Sequence, residues 1–370
     1  MQTTAAVLRQ SPGEWEVCTV ELDPPKEHEV LVRLVASGLC HSDDHFSTGD
    51  IPPGHLPFCG GHEGAGVVEE VGPGVSGLSV GDHIVTSFIP SCGRCRWCAS
   101  GLQALCDNGK ILATGQPMDG TFRMHLDGEG VGQACLTSTF AEYTVIPETS
   151  AVKISKEIPL EVAALLGCGV PTGWGSAVNA AQVGPGDVVI VVGVGGIGIN
   201  AVQGASHAGA ARIIAVDPVA MKREFALKLG ATDAVADTAE ASDLAQALTN
   251  GQGADSAIVC VGVTHGEHVG AAFSAVRKAG TVVVTGVSPV QEVGLPVGLL
   301  ELAMYQKRIQ GTIYGMMSPN GDIPRLLALW QAGHLKLEEL ITRTYSLGEI
   351  NQGYADMRAG LNIRGVLKLD

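Results

Sequence analysis

Four cysteines crowd one short stretch of the chain, as Cys92-Gly-Arg-Cys95-Arg-Trp-Cys98 followed by Cys106 after seven further residues. Two successive C-x2-C steps put three sulfurs on one turning backbone, and a fourth within loop reach completes a tetrahedral thiolate set of the kind zinc takes. Four thiolates leave no open position, so this spacing predicts a structural ion. Free, buried cysteines are the competing reading, and the spacing favours metal.

A second pattern suits a dinucleotide. In VVIVVGVGGIGINAVQGASHAG an apolar run enters Gly193, Gly195, Gly196 and Gly198 and continues as a helical stretch. Glycines there allow a tight turn and let backbone approach a pyrophosphate lying on the helix N-terminus. Nineteen residues beyond Gly198, at the end of RIIAV, stands Asp217. An acid at that place accepts both ribose hydroxyls and repels a 2′-phosphate, which predicts NAD rather than NADP. A glycine-rich turn alone serves many purposes; strand, glycines, helix, strand and acid in this order are specific.

The third constellation is dispersed: Cys40-His-Ser42-Asp43-Asp-His45, then Gly61-His62-Glu63, then Gly-Cys168-Gly. Cys40, His62 and Cys168 would offer a metal two thiolates and an imidazole and leave a fourth position open, as catalysis requires. On spacing alone the ordinary reading is the stronger one: a cysteine between apolar residues is usually core, and a lone histidine is usually just hydrogen-bonded.

These groups need elements to hold them. Through about residue 160, valine-rich runs of five to eight residues alternate with Gly, Pro and Asp (EVLVRLVASG, GAGVVEEVGPGV, VGDHIVTSF, FAEYTVIP), the pattern of a compact, partly antiparallel β domain. From about 170 apolar strands alternate with helices: 188–192, 212–216, 233–235, 256–261, 281–286 and a last strand near RIQGTIYG. That alternation predicts a parallel, doubly wound sheet. The fold expected is α/β, a Rossmann-type unit plus a mainly β unit. The helical PRLLALWQAGHL and INQGYADMRAG and a final RGVLKL strand are expected to return to the first domain. The division expected is therefore 1–169 with 314–370 against 170–313.

The 370 residues suffice for two cores, and 45% hydrophobic against 16% charged residues describe a packed, turn-rich globular chain. A formal net charge of −15 argues against a nucleic-acid partner. No run of about 18 apolar residues suggests a membrane span, and the start of the chain reads as strand and turn, so a cytoplasmic location is expected.

Taken together, the Cys40–His45 phrase, Gly61-His62-Glu63-Gly-Ala-Gly66, the four-cysteine loop, Cys168-Gly-Val-Pro-Thr172-Gly and the Gly193–Gly198 turn resemble the zinc-containing medium-chain alcohol dehydrogenases over essentially the whole chain. The resemblance implies a GroES-like catalytic domain, two zinc ions per chain, NAD, and a small alcohol or aldehyde as substrate. It makes Cys40, His62 and Cys168 the ligands of a catalytic zinc, and Cys92, Cys95, Cys98 and Cys106 those of a structural one. Asp43 then orients the histidine ligand and Glu63 is the acid behind the metal. Ser42 bonds the substrate oxygen, and His45 passes its proton to solvent. Phe88 falls on a pocket wall, Thr172 near the nicotinamide, Lys222 beside the adenosine ribose and Arg364 at the pyrophosphate. For Phe88, Lys222 and Arg364, core packing or a solvated cation explains the residue as well. His41 departs from the arginine common in liver members and weakens one cofactor contact.

The 110–137 stretch, read as a long loop able to cover the cofactor cleft, and phrases such as GCGVPTGWGSAVNAA and GYADMRAGLNIRGV look most like the actinobacterial nicotinoprotein branch. That branch retains NAD through turnover and reduces an external acceptor, N,N-dimethyl-4-nitrosoaniline. The alternatives are an ordinary NAD-exchanging alcohol dehydrogenase, a thiol-adduct formaldehyde dehydrogenase, whose charged thiol-holding positions have no convincing match here, and a catalytically silent nucleotide-binding protein. Edge strands near VVVTG and TIYG, taken as buried, suggest by analogy a homo-oligomer joined through the nucleotide domain.

Overall fold

The computed structural model describes residues 1–109, 115–117 and 119–369. Two compact units emerge. One comprises Met1–Cys168, Ser318–Ala328 and Leu337–Asp370, the other Gly169–Met317 and Leu329–Lys336.

The first unit is built on β structure. Strands β1 (Gln2–Leu8), β2 (Glu16–Leu22), β4 (Phe58–Cys59), β7 (Met124–Leu126) and β8 (Glu129–Gln133) close a barrel in the order β1-β2-β7-β8-β4. Beside it runs a sheet ordered β10-β6-β5-β3-β18-β17, made from β3 (Glu29–Gly38), β5 (Gly64–Val71), β6 (His83–Thr86), β10 (Ala151–Ile154), β17 (Ile341–Ser346) and β18 (Arg364–Lys368). A further strand, β9 (Tyr143–Pro147), also pairs with β3. The RGVLKL segment pairs with this unit, Val366 opposite Gly38, but the expected return of all of 314–370 is corrected: 314–317 and Leu329–Lys336, the latter holding the second half of PRLLALWQAGHL, pack with the other unit. Alternate strand residues such as Val30, Val32 and Leu34 point into a core shared with Trp15, Phe140 and Tyr354.

The expected 110–137 loop is corrected in its described part. Residues 110–114 and 118 lie outside the described residues, but β7 and β8 pair as a hairpin, His125 opposite Gly130. Asp127 and Gly128 turn it with φ of 54° and 83°, the two left-handed positions that a tight hairpin turn requires and that an Asp-Gly pair supplies. Arg123 pins the entry to this hairpin: buried, it holds both oxygens of Glu29 at 2.7 Å.

In the second unit, six parallel strands stand in the order β13-β12-β11-β14-β15-β16, namely Asp233–Val235, Arg212–Val216, Val188–Val192, Ala254–Val259, Val276–Val284 and Arg308–Gly311. Helices follow β11 to β14, so the central strands are covered on both faces; every residue of VVIVV is buried. The VVVTG segment is not an edge, because β15 lies between β14 and β16. The edge on that side is β16, mostly exposed in the single chain, and the opposite edge is β13. Periodicity does not encode strand order, so the sequence alone does not tell an interior strand from an edge. Among the described residues, no helix is long and apolar enough to cross a membrane.

Candidate metal centres and dinucleotide site

Cys40 lies two residues past the end of β3 and is the N-cap residue of the helix His41–Thr48. That helix has almost no apolar face; polar contacts fix it instead. Asp43 accepts the Gly61 N–H at 2.9 Å, Asp44 accepts from Ser47 and from Arg358 at 2.7 Å, and Gly49 ends the helix in the left-handed region at φ 85°. Buried polar groups so satisfied specify one arrangement. His62 sits between β4 and β5, after Gly61 at φ 88°, where a side chain would strike Thr139 and Phe140. Cys168 stands at a break, φ −150° and ψ −69°, between the 3-10 turn Ala164–Gly167 and the helix Gly169–Gly175.

Three remote segments thus converge. One ligand atom each from Cys40, His62, Glu63 and Cys168 lies within 4.8 Å of the others, all buried. Asp43 Oδ2 is 2.9 Å from His62 Nδ1, which leaves Nε2 for a metal. Burial opposes protonation of His62, but Asp43 and the two sulfurs outweigh it and raise its pKa well above the usual range. The hydrogen bond from Cys168 holds Cys40 well below the ordinary thiol range, while Cys168 is held well above it. Two buried thiols sharing one proton beside an imidazole are the donor set a zinc ion fits.

Behind the cluster Glu63 pairs with Arg364, both buried. Burial pushes the Glu63 carboxyl up to about 8, against the pull of the guanidinium. A Cβ added at Gly38 would collide with the Glu63 carboxylate and come 2.8 Å from Arg364 Nη2, so this glycine makes room for the pair. Arg364 Nε has no partner among the described residues.

Ser42 Oγ lies 3.6 Å from the Cys40 sulfur. One helical turn on, His45 is buried with Nδ1 3.0 Å from Asp50 Oδ2, and Thr48 donates to the same oxygen at 2.8 Å. Asp50 carried no signal in the sequence; nor did Gly38. The Phe88 ring meets that of His62 edge-on at 5.6 Å. His41 is half-buried at the start of the helix.

The second cysteine set folds as its spacing implies. Sulfurs of Cys92, Cys95, Cys98 and Cys106 lie within 4.8 Å of one another, with Cys92 and Cys98 4.0 Å apart. Tetrahedral zinc–sulfur bonds would set sulfurs about 3.8 Å apart. Backbone N–H groups of Cys95 and Cys98 donate to the sulfurs of Cys92 and Cys95, each at 3.4 Å. Backbone donation, first from the Asp107 N–H, draws the Cys95 thiol down to about 6; burial pushes Cys98 up to about 12.

In the second unit Gly193 has φ 83°, and a Cβ there would come 2.9 Å from Val261 N; one at Gly198 would collide with the Gly193 carbonyl. These two glycines are required by the protein's own packing. Gly195 differs, since a Cβ there would find only Lys222 Nζ, at 3.9 Å, leaving open backbone beside a cation as a phosphate would need. The Gly196 carbonyl accepts from Asn200 at 2.9 Å. Asp217 ends β12 with its carboxylate oriented by the N–H groups of Val194 and Val219 at 3.1 and 2.9 Å. Thr172 is buried on the helix Gly169–Gly175, its carbonyl bonded by Ser176 at 2.6 Å.

A doubly wound sheet with this turn and acid, and a β unit with one closed and one open sulfur site, define a zinc-dependent medium-chain dehydrogenase. Residues 26–156 match the alcohol dehydrogenase GroES-like domain and residues 196–332 the zinc-binding dehydrogenase domain. The NDMA-dependent alcohol dehydrogenase of Amycolatopsis methanolica is 51% identical over 367 residues, 99% of each chain. Putative alcohol dehydrogenase D of Mycobacterium tuberculosis is 50% identical over 367 residues, 99% of this chain and 100% of that one. The benzyl alcohol dehydrogenase of Acinetobacter calcoaceticus superposes with a TM-score of 0.93 at 31% identity over 100% of both chains. The chain belongs to the zinc-containing alcohol dehydrogenase family.

Proposed function

We propose that the protein oxidises a primary or secondary alcohol to its aldehyde or ketone on an NAD that it keeps bound and that an external acceptor reoxidises in place. The observation that carries the chemistry is the buried Cys40–His62–Cys168 cluster with Ser42 beside it and His45 one turn further on. When bound, zinc in that cluster lowers the pKa of an alcohol oxygen and NAD accepts the hydride. Ser42 takes the alcohol proton, and His45, held by Asp50 through Nδ1, relays it toward solvent. Asp43 fixes the orientation of His62; Phe88 forms an aromatic wall that keeps water from the reacting carbon.

In this reading the first unit is catalytic and the second binds NAD. Gly195, Gly196 and Lys222 receive the phosphates and adenosine ribose, Asp217 the ribose hydroxyls, Thr172 the nicotinamide, and Arg364 with His41 the pyrophosphate. A second zinc occupies the Cys92–Cys106 lobe. The location is cytoplasmic, and copies associate across β16, where exposed Leu299, Leu300 and Met304 stand nearby in the chain.

Retention of NAD is supported by similarity to the NDMA-dependent enzyme of Amycolatopsis methanolica. The test is to gel-filter the purified protein, release nucleotide with acid, and compare alcohol oxidation with added NAD against oxidation with N,N-dimethyl-4-nitrosoaniline. Near-stoichiometric nucleotide and acceptor-dependent turnover are expected. A protein free of nucleotide that turns over only with added NAD would make it an ordinary, NAD-exchanging alcohol dehydrogenase.

A further inference from the structure

The second unit carries a surface pocket of about 530 Å³ that none of the chemistry above uses, lined by Gln203, Ser206, His207, Lys228, His334 and Lys336. Gln203 anchors it. Its amide donates to Asn200 Oδ1 and to the Lys336 carbonyl and accepts the Lys336 N–H at 2.8 Å, tying the segment after helix Pro319–Gln331 to helix Gly198–His207. The result sets two imidazoles side by side. His207, at the end of its helix, packs on Trp174 with ring centres 5.0 Å apart, and the His334 ring lies 6.0 Å from that of His207. Neither imidazole has a hydrogen-bond partner among the described residues.

We propose that His207 and His334 together bind a divalent transition-metal ion in this pocket, a third metal site distinct from the two sulfur sites. With metal–nitrogen bonds of about 2.0–2.1 Å, two imidazoles on one ion place their ring centres about 4.5–6.4 Å apart, depending on the angle at the metal. The observed spacing falls inside that span. Helix ends offset part of the positive charge that the two lysines of the lining bring. The carbonyl ends of three helices, Gly198–His207, Ala220–Lys228 and Pro319–Gln331, meet at the pocket and bring partial negative charge. Lys228 and Lys336 oppose this, but both are exposed and long enough to turn their ammonium groups to solvent. Water completes the shell, as imidazole pairs on nickel, copper or zinc allow.

A second imidazole pair shows what the pocket pair has and it lacks. His265 and His268 have ring centres 5.8 Å apart, but His268 Nδ1 accepts the His265 N–H, which places its proton on Nε2, and His265 Nδ1 is held by Glu292 at 3.0 Å. That pair does not present two free lone pairs.

The test uses the zinc-replete enzyme, titrated with nickel chloride by calorimetry, with nickel and zinc both quantified after desalting. One nickel per chain is expected with zinc content unchanged, together with quenching of tryptophan fluorescence that is reduced in Trp174→Phe. His207→Ala and His334→Ala, both exposed and outside the catalytic machinery, should each weaken nickel binding about tenfold or more, while His268→Ala leaves it unchanged. Nickel that binds only by displacing zinc, that fails to bind, or that binds the His207→Ala/His334→Ala double variant as tightly as the parent would overturn the assignment.

Discussion

The ring of His45 is held by Asp50, whose Oδ2 lies 3.0 Å from Nδ1. A carboxylate partner keeps the proton on Nδ1 and so sets the tautomer and orientation that the proposed relay through His45 requires. His45→Gln should slow turnover by about 10²-fold or less, because water replaces an outer relay member in part. Asp50→Ala should cost no more than that, and the double variant no more than His45→Gln alone, since both act through one ring. Steady-state kcat of the three variants checks this; additive losses would separate Asp50 from the relay.

In the proposed mechanism Ser42 serves a different step. Its hydroxyl lies beside the Cys40 sulfur, so it is placed to meet the oxygen of a bound alcohol. Ser42→Ala should remove most activity across pH 6 to 9 while leaving zinc content at the parent level. Equal activity of variant and parent over that range would remove Ser42 from the mechanism.

The two sulfur sites should respond differently to loss of one ligand. Cys168→Ser opens the three-ligand cluster and should abolish turnover with the fold retained, whereas Cys95→Ser breaks a closed four-sulfur shell and should chiefly lower thermal stability. Elemental analysis with circular dichroism and activity distinguishes the cases. Normal turnover in Cys168→Ser would refute the catalytic assignment.

Gly38 is predicted to be intolerant of a side chain. A methyl group there meets Glu63 and Arg364, whose pairing is buried and cannot swing into solvent. Gly38→Ala should destabilise the protein by about 1–3 kcal/mol, the usual cost of overpacking. Urea unfolding of the zinc-loaded protein measures it; a variant as stable as the parent would show that the pair relocates freely.

The features legible in the chain by itself were those whose physics is local. The Cys92–Cys106 lobe reads directly because C-x2-C spacing already directs N–H groups of Cys95 and Cys98 at the preceding sulfurs. The dinucleotide turn reads likewise: a fully apolar VVIVV must be covered on both faces, and Gly193 must take a left-handed φ. Cys40, His62 and Cys168 are the opposite case. Each looks like core, and only family resemblance joined them before β3, the β4–β5 connection and the break at Cys168 brought them together. Local periodicity also left the β7–β8 hairpin unread, although Asp127-Gly128 marks its turn, and it could not say that β15 is interior and β16 the edge. Strand order, the Asp50–His45 and Glu63–Arg364 pairs, and the meeting of His207 with His334 depend on contacts between residues far apart in the chain or on loop geometry. Such contacts form only when packing of the whole unit offsets the entropy of closing the intervening chain, and no short window of residues records that balance.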